Sequence, residues 1–223
     1  MCGRFTLTAD PADLREAFYW VDFGNASFTP RYNIAPTQGV AVVPNNSHNK
    51  LDFFTWGLVP SWAKDPSIGS RMINARSETL AEKPSFRTAY KRRRCLILAD
   101  GFYEWAQNPG EKAKTPMFIR MKDGKPFAFA GLWEDWQSPD GSQILSTTII
   151  TTQPNRLLAP IHNRMPVILP TEAYPAWLEP GEVPAAHLDP LLSPYNPDLM
   201  EAFPVSRMVN SPKNDTPECI RPV

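Results

Sequence analysis

Cys95-Leu96-Ile97-Leu98-Ala99-Asp100-Gly101-Phe102-Tyr103-Glu104-Trp105 is the stretch on which the fold turns. Cys95–Ala99 is a continuous apolar run of strand length, the mark of a strand buried on both faces. Phe102–Trp105 is a second, aromatic strand. Further strands are expected at Met117–Met121, Phe127–Leu132 and Ile144–Thr151, spaced by turns such as Lys122-Asp123-Gly124 and Ser138-Pro139-Asp140-Gly141. Upstream, Gly39–Val43 and Leu51–Leu58 read as a hairpin around Pro44–Asn49. Downstream, Val167–Leu169 and Ala202–Val205 read as late strands.

Helices are few and short. Asp10-Pro11 supplies an N-cap and a first-turn proline for a helix with Leu14, Ala17 and Phe18 on one face, ending near Trp20. Ser77-Glu78-Thr79 opens another, and Ser85–Arg93, Thr171–Leu178 and Ala185–Leu192 read as three more. There is no internal repeat and no break in composition. The expected architecture is an α+β single domain spanning 2–223, a mixed and mainly antiparallel, barrel-like sheet with short flanking helices.

Bulk composition bounds the function. The 223 residues, 42% hydrophobic, suffice for a substantial core, and 23 basic residues balance 23 acidic ones. Net charge therefore points neither toward nor away from nucleic acid; only local clusters do. The 25 prolines are scattered, so they read as many rigid turns. Cys2, Cys95 and Cys219 form no CxxC pair, which suggests neither a disulfide framework nor a cysteine zinc site. No signal peptide or membrane span is visible, so a cytoplasmic protein is expected. No histidines have metal-ligand spacing, and GxSxG, HExxH, P-loop and GxGxxG signatures are missing. No metal and no cofactor are expected.

Chemistry concentrates in a few places. Met1 precedes a small residue, so trimming would expose Cys2 as the amino terminus. Such a cysteine carries an α-amine with a pKa of roughly 8 beside a thiol near about 8.5. That pair can condense with an aldehyde to an imine and then close to a five-membered thiazolidine; an internal cysteine cannot. The plainer reading of Cys2 is a small buried residue at a strand start. Glu104 alternates with ring residues, so it points opposite to Tyr103 and Trp105. Desolvation there raises a carboxyl pKa toward the range useful for proton transfer, unless the residue faces solvent. His162 sits in the proline-bracketed loop Ala159–Pro166, whereas His48 and His187 read as surface residues. Asn74 offers a non-titrating amide and Arg76 a phosphate-matching fork, or else this stretch is only a capped loop. The run Lys91-Arg92-Arg93-Arg94 is the strongest basic cluster. It reads as a solvated face or, with Arg4, Arg76 and Arg164, as the border of a phosphate-tracking groove. Trp62, flanked by proline, either caps the core or stacks on a base.

Six stretches occur here in one order: Met1-Cys2-Gly3-Arg4-Phe5, Arg31-Tyr32-Asn33-Ile34-Ala35-Pro36, Trp56-Gly57-Leu58-Val59-Pro60, Ile73-Asn74-Ala75-Arg76-Ser77-Glu78-Thr79, Asp100–Trp105 and Ile161-His162-Asn163-Arg164-Met165-Pro166. In that order they resemble the SRAP family, the SOS-response-associated peptidase domains also known as abasic-site processing proteins. The likeness runs from residue 2 to about residue 210. It implies a sensor of abasic sites in single-stranded DNA that forms a covalent DNA–protein crosslink. It implies Cys2 as nucleophile, Asn74 and Glu104 beside its amine, and His162 facing the sugar. Arg4, Arg76 and Arg164 would hold phosphates, and Pro36 and Trp62 would lie against the interrupted base stack. Near Lys83-Pro84, where some relatives carry an arginine before the residue matching Phe86, this chain has proline; Lys83 or Arg87 is the substitute. A monomer, nucleoid-associated during DNA damage, is the implied state. A weak lyase activity and a peptidase activity confined to Met1 are implied too. Two other readings stand beside it: an N-terminal-nucleophile thiol amidohydrolase, and a non-covalent single-strand binder that does not use Cys2.

Overall fold

The computed structural model describes residues 2–46, 48–110 and 112–223. The expected removal of Met1 concerns a residue outside these. In chain order the elements are β1 (Phe5–Leu7), α1 (Pro11–Ala17), β2 (Arg31–Ile34), β3 (Gly39–Pro44), β4 (Asp52–Trp56), β5 (Asn74–Arg76), α2 (Arg87–Arg92), β6 (Arg94–Ala99), β7 (Gly101–Ala106) and β8 (Thr115–Met121). There follow β9 (Phe127–Gln137), β10 (Gln143–Thr152), β11 (Met165–Pro166), β12 (Ile168–Leu169), α3 (Tyr174–Trp177), α4 (Ala185–Leu188) and β13 (Met200–Pro204).

The apolar run of β6 is buried at every position because it lies between β3 and β9. β9 and β10 are the longest strands and pair as an antiparallel hairpin from Gly131–Ile149 out to Gln137–Gln143. β10 then pairs with β4, β4 with β3, β3 with β6 and β6 with β9, so five strands close into a ring. Closure leaves no open edge in that circuit. The sheet is mixed because β4 and β5 both run parallel to β10. A second, five-stranded sheet runs β13-β8-β7-β1-β2. It packs onto the ring through edge-to-face contacts of Phe5 with Trp56 and Phe129, at 5.1 and 5.7 Å, and of Phe102 with Phe129 at 6.0 Å. The expected barrel-like, mainly antiparallel sheet is present, and a second sheet shares its core.

Local signals explain the helices. The Asp10 carboxylate accepts from Ala12 N–H at 2.8 Å and Pro11 occupies the first turn, as an N-cap demands. The helix stops at Ala17, earlier than expected. The Lys91–Arg94 cluster is a correction. Arg94 is fully buried, and its guanidinium donates to the carbonyls of Trp177, Tyr90, Lys91 and Glu179. Arg93 pairs with Glu134, and Lys91 and Arg92 pair with Glu182. These charges fasten α2 to the sheet and to the segment after α3; they do not line a groove. No helix among the described residues is long and apolar enough to cross a membrane.

Candidate active site

β1 returns alongside β7, with Phe5 opposite Phe102 and Tyr103 N–H donating to Arg4 O at 3.0 Å. That register carries the start of the chain back beside Glu104. Alternation along β7 then sorts its side chains. Tyr103 and Trp105 pack on the outer face with Val205, Val209 and Cys219, while Phe102 joins the main core. Glu104, on the Phe102 side, is 2% exposed, and burial raises its carboxyl pKa, opposed in part by the nearby His162. Cys2 is fully buried; burial, reinforced by the Glu104 charge, pushes its thiol well above the ordinary range.

His162 meets this group from the loop before β11. Its Nδ1 lies 4.0 Å from Glu104 Oε1. The backbone of Arg164 brackets the same Nδ1, its N–H at 3.1 Å and its carbonyl oxygen at 3.2 Å, which fixes the orientation of the ring. Asn74 is carried by β5, which the sequence reads as loop. Residues 74–76 run parallel to Ile149, Ile150 and Thr151 of β10. Asn74 Nδ2 donates to Ile73 O at 2.9 Å, and its Oδ1 is buried with no hydrogen-bond partner among the described residues. A buried acceptor left open in this way has room for one incoming donor.

The neighbouring turns are rigid. Gly57 has φ +133°, and a Cβ there would sit 2.5 Å from Gly69 O, so only glycine lets these two segments touch. Trp56 Nε1 donates to Ile73 O at 2.9 Å and Leu58 N–H to Met72 O at 3.1 Å, tying the Asn74 segment to the loop that follows β4. From that loop Trp62 projects, 58% exposed, over a base in which Trp136 Nε1 donates to Ala63 O at 2.7 Å. Pro36 is half-buried at the end of β2 and precedes Thr37, a β-branched residue held at φ +73°. Thr37 N–H donates to Trp56 O at 2.8 Å, which sets Pro36 beside the same loop. Strain of this kind collects at functional sites.

The three arginines differ. Arg76 is exposed, and its side chain has no hydrogen bond or ion pair among the described residues. Arg4 spans outward, donating to Asn33 Oδ1 at 2.9 Å, Val209 O at 2.8 Å and Asn210 O at 3.3 Å. Arg164 turns inward: it is 8% exposed and forks onto Glu78 at 2.5 and 2.9 Å.

Sequence reasoning missed the carboxy-terminal strap. Asp215 accepts from Arg31 Nε, Tyr32 N–H and Asn33 N–H, and Asn33 Nδ2 donates to Val209, Ser211 and Asn214 carbonyls. This clamp orders β2 and, through Asn33 Oδ1, the Arg4 guanidinium. Nothing in a lone Asp far along the chain signals it. Replacing Asp215 with alanine strands two backbone N–H groups and removes the partner of Arg31 Nε, whose Nη2 still donates to Gln38. A loss of about 1–3 kcal/mol is expected in urea unfolding, since hydrogen bonds to charged groups contribute that much.

Comparisons with known proteins bear on the family and the fold. Residues 1–212 match the family model described as SOS response associated peptidase (SRAP). The chain is 50% identical over 222 residues to the abasic site processing protein YoqW of Bacillus subtilis, covering 99% of each chain. It is 32% identical to the abasic site processing protein HMCES of Xenopus tropicalis, over 99% of this chain and 78% of that one. A crystal structure of a protein from Bacteroides thetaiotaomicron superposes with a TM-score of 0.88 at 26% identity, covering 100% of both chains. One from Bordetella bronchiseptica gives 0.77 at 26% identity, covering 92% of this chain and 100% of that one.

Proposed function

Because the chain belongs to the SOS response associated peptidase family, we propose that it processes abasic sites in single-stranded DNA by capturing them covalently through Cys2. The observation that carries the reading is the meeting of Cys2, Glu104 and His162 around one buried carboxyl.

An abasic sugar equilibrates between a closed hemiacetal and an open aldehyde. His162 donates a proton to the ring oxygen and promotes opening. With Met1 removed by the chain's own peptidase action, the Cys2 α-amine attacks the aldehyde carbon. Glu104 accepts a proton from the amine and returns one to the departing hydroxyl, so water leaves and an imine forms. The sulfur then adds to the imine carbon, the thiol proton passes to nitrogen, and a thiazolidine results. The Asn74 carbonyl oxygen accepts from the amine and aims it without titrating. An imine also permits β-elimination, so weak strand cleavage accompanies capture and ring closure limits it. Arg76 and Arg87, both exposed, hold flanking phosphates together with the outer edge of Arg4. Pro36 and Trp62 lie against the interrupted base stack.

The test is direct. Purified protein is mixed with single-stranded DNA carrying one abasic site, denatured and run on a gel, with intact mass measured in parallel. A shifted band and a protein lacking Met1 are expected. Turnover of a small amide with no band would favour an amidohydrolase. Binding with no band would favour a non-covalent single-strand binder.

A further inference from the structure

We propose that Thr37 is a further DNA contact: its hydroxyl donates to a phosphate oxygen of the strand beside the abasic site, and the chain holds a strained turn to place it there. The inference rests on the reading above, in which Pro36 lies against the base stack. Thr37 has φ +73°, in the left-handed region where a Cβ crowds a backbone carbonyl oxygen. Glycine is the residue free to sit there, and any other bears a conformational cost. Nothing inside the protein offsets that cost at the side chain: Thr37 is exposed, and its Oγ1 has no hydrogen bond among the described residues. The neighbouring backbone donors are already committed. Ala35 N–H donates to Gln38 Oε1 at 3.1 Å, Thr37 N–H to Trp56 O at 2.8 Å and Gln38 N–H to Ala35 O at 3.3 Å, and Pro36 has no N–H. The exposed donor left on this turn is the Thr37 hydroxyl. The turn is also fixed relative to the reacting groups. Trp56 accepts from Thr37 through its carbonyl, donates to Gln38 O through its N–H at 2.9 Å, and donates through Nε1 to Ile73 O, the carbonyl next to Asn74. A hydroxyl carried on that frame stands at a set distance from Asn74. Phosphate oxygens are acceptors at every nucleotide, so a lone neutral donor finds one whatever the sequence and fixes the register of the strand.

Binding and thermal stability test the two halves of the proposal separately. The probe is a single-stranded oligonucleotide bearing a tetrahydrofuran abasic analogue, which has no aldehyde, so affinity is read without capture. Thr37→Val keeps the β-branched shape and the strain but lacks the hydroxyl. Its Tm is expected to match the wild type, and its Kd to weaken about 3- to 10-fold, the worth of one hydrogen bond. Thr37→Gly lacks the hydroxyl and relieves the strain as well. It is expected to bind as weakly as the valine variant and to melt about 2–4 °C higher than the wild type. Thr37→Ser keeps the hydroxyl and is expected to bind like the wild type. All three keep the wild-type salt dependence because no charge is removed, whereas Arg76→Ala loses about 0.7 of log–log slope for its one phosphate. The position is exposed, so each variant folds. Valine and glycine variants that bind as tightly as the wild type would overturn the contact, and so would a serine variant as weak as valine. A glycine variant no more stable than the wild type would overturn the strain. Wild-type protein that binds the analogue but gives no adduct with a true abasic site would sink the capture reading alone and leave these comparisons standing.

Discussion

A Cys2→Ala variant leaves no adduct that survives denaturation, while its affinity for single-stranded DNA changes little. The substitution keeps an α-amine at the amino end, so an imine still forms and dissolves. What disappears is the sulfur that closes the ring. Borohydride added during the reaction reduces the imine and restores a band in the variant; without it the band is gone. Elimination, no longer pre-empted by ring closure, rises, so the variant cleaves more strand per encounter than the parent does. Both effects are read on one denaturing gel. A band of undiminished strength without borohydride would remove Cys2 from the chemistry.

Glu104→Gln lowers the crosslinking rate by about 100-fold or more, within the range that a positioned acid–base group contributes. It also makes the protein more stable at pH 7. The two effects share one cause. Burial raises the Glu104 carboxyl pKa, so the folded state binds its proton more tightly than the unfolded chain does. Stability is then lost as pH rises from the ordinary glutamate pKa through the folded one. Above the ordinary glutamate pKa the wild type incurs that loss progressively, and glutamine, which never ionises, avoids it. Tm of the variant should exceed that of the wild type at pH 7, and the gap should close below the ordinary glutamate pKa. The wild-type rate should climb with pH as Glu104 ionises, above the usual carboxylate range, and this limb should be missing in the variant. A variant less stable at pH 7 with an unchanged pH–rate profile would show that Glu104 is an ordinary structural carboxyl.

Glu78 titrates the other way. Arg164 depresses its carboxyl to about 2, so the stability it contributes is present above the ordinary glutamate pKa and fades as pH falls toward that value. Glu78 is 44% exposed at its side chain, so solvent screening keeps the contribution small. Two carboxyls near one site thus differ by environment alone, one pushed up by burial and one held down by a guanidinium.

Much of the sheet was legible. The β6 run, the β3–β4 hairpin and the β7–β10 succession follow from apolar runs, alternation and turn residues close in sequence. Alternation also set Glu104 apart from Tyr103 and Trp105. β2 and β5 were not legible, because Arg31–Ile34 and Asn74–Arg76 are short and polar. They are strands only because β1 and β10 supply their hydrogen-bond partners. The basic run at Lys91–Arg94 misleads for a similar reason. A guanidinium bonded to four carbonyls and one in solvent are spelled alike.

The chain's order of residues settled the strand succession and the family likeness, because each depends on residue type and near neighbours. Folding in three dimensions decided that the ring closes, that Glu104 is desolvated beside His162, and that Arg164 serves Glu78 and not solvent. Those outcomes depend on burial and on partners distant in sequence, which no local pattern encodes.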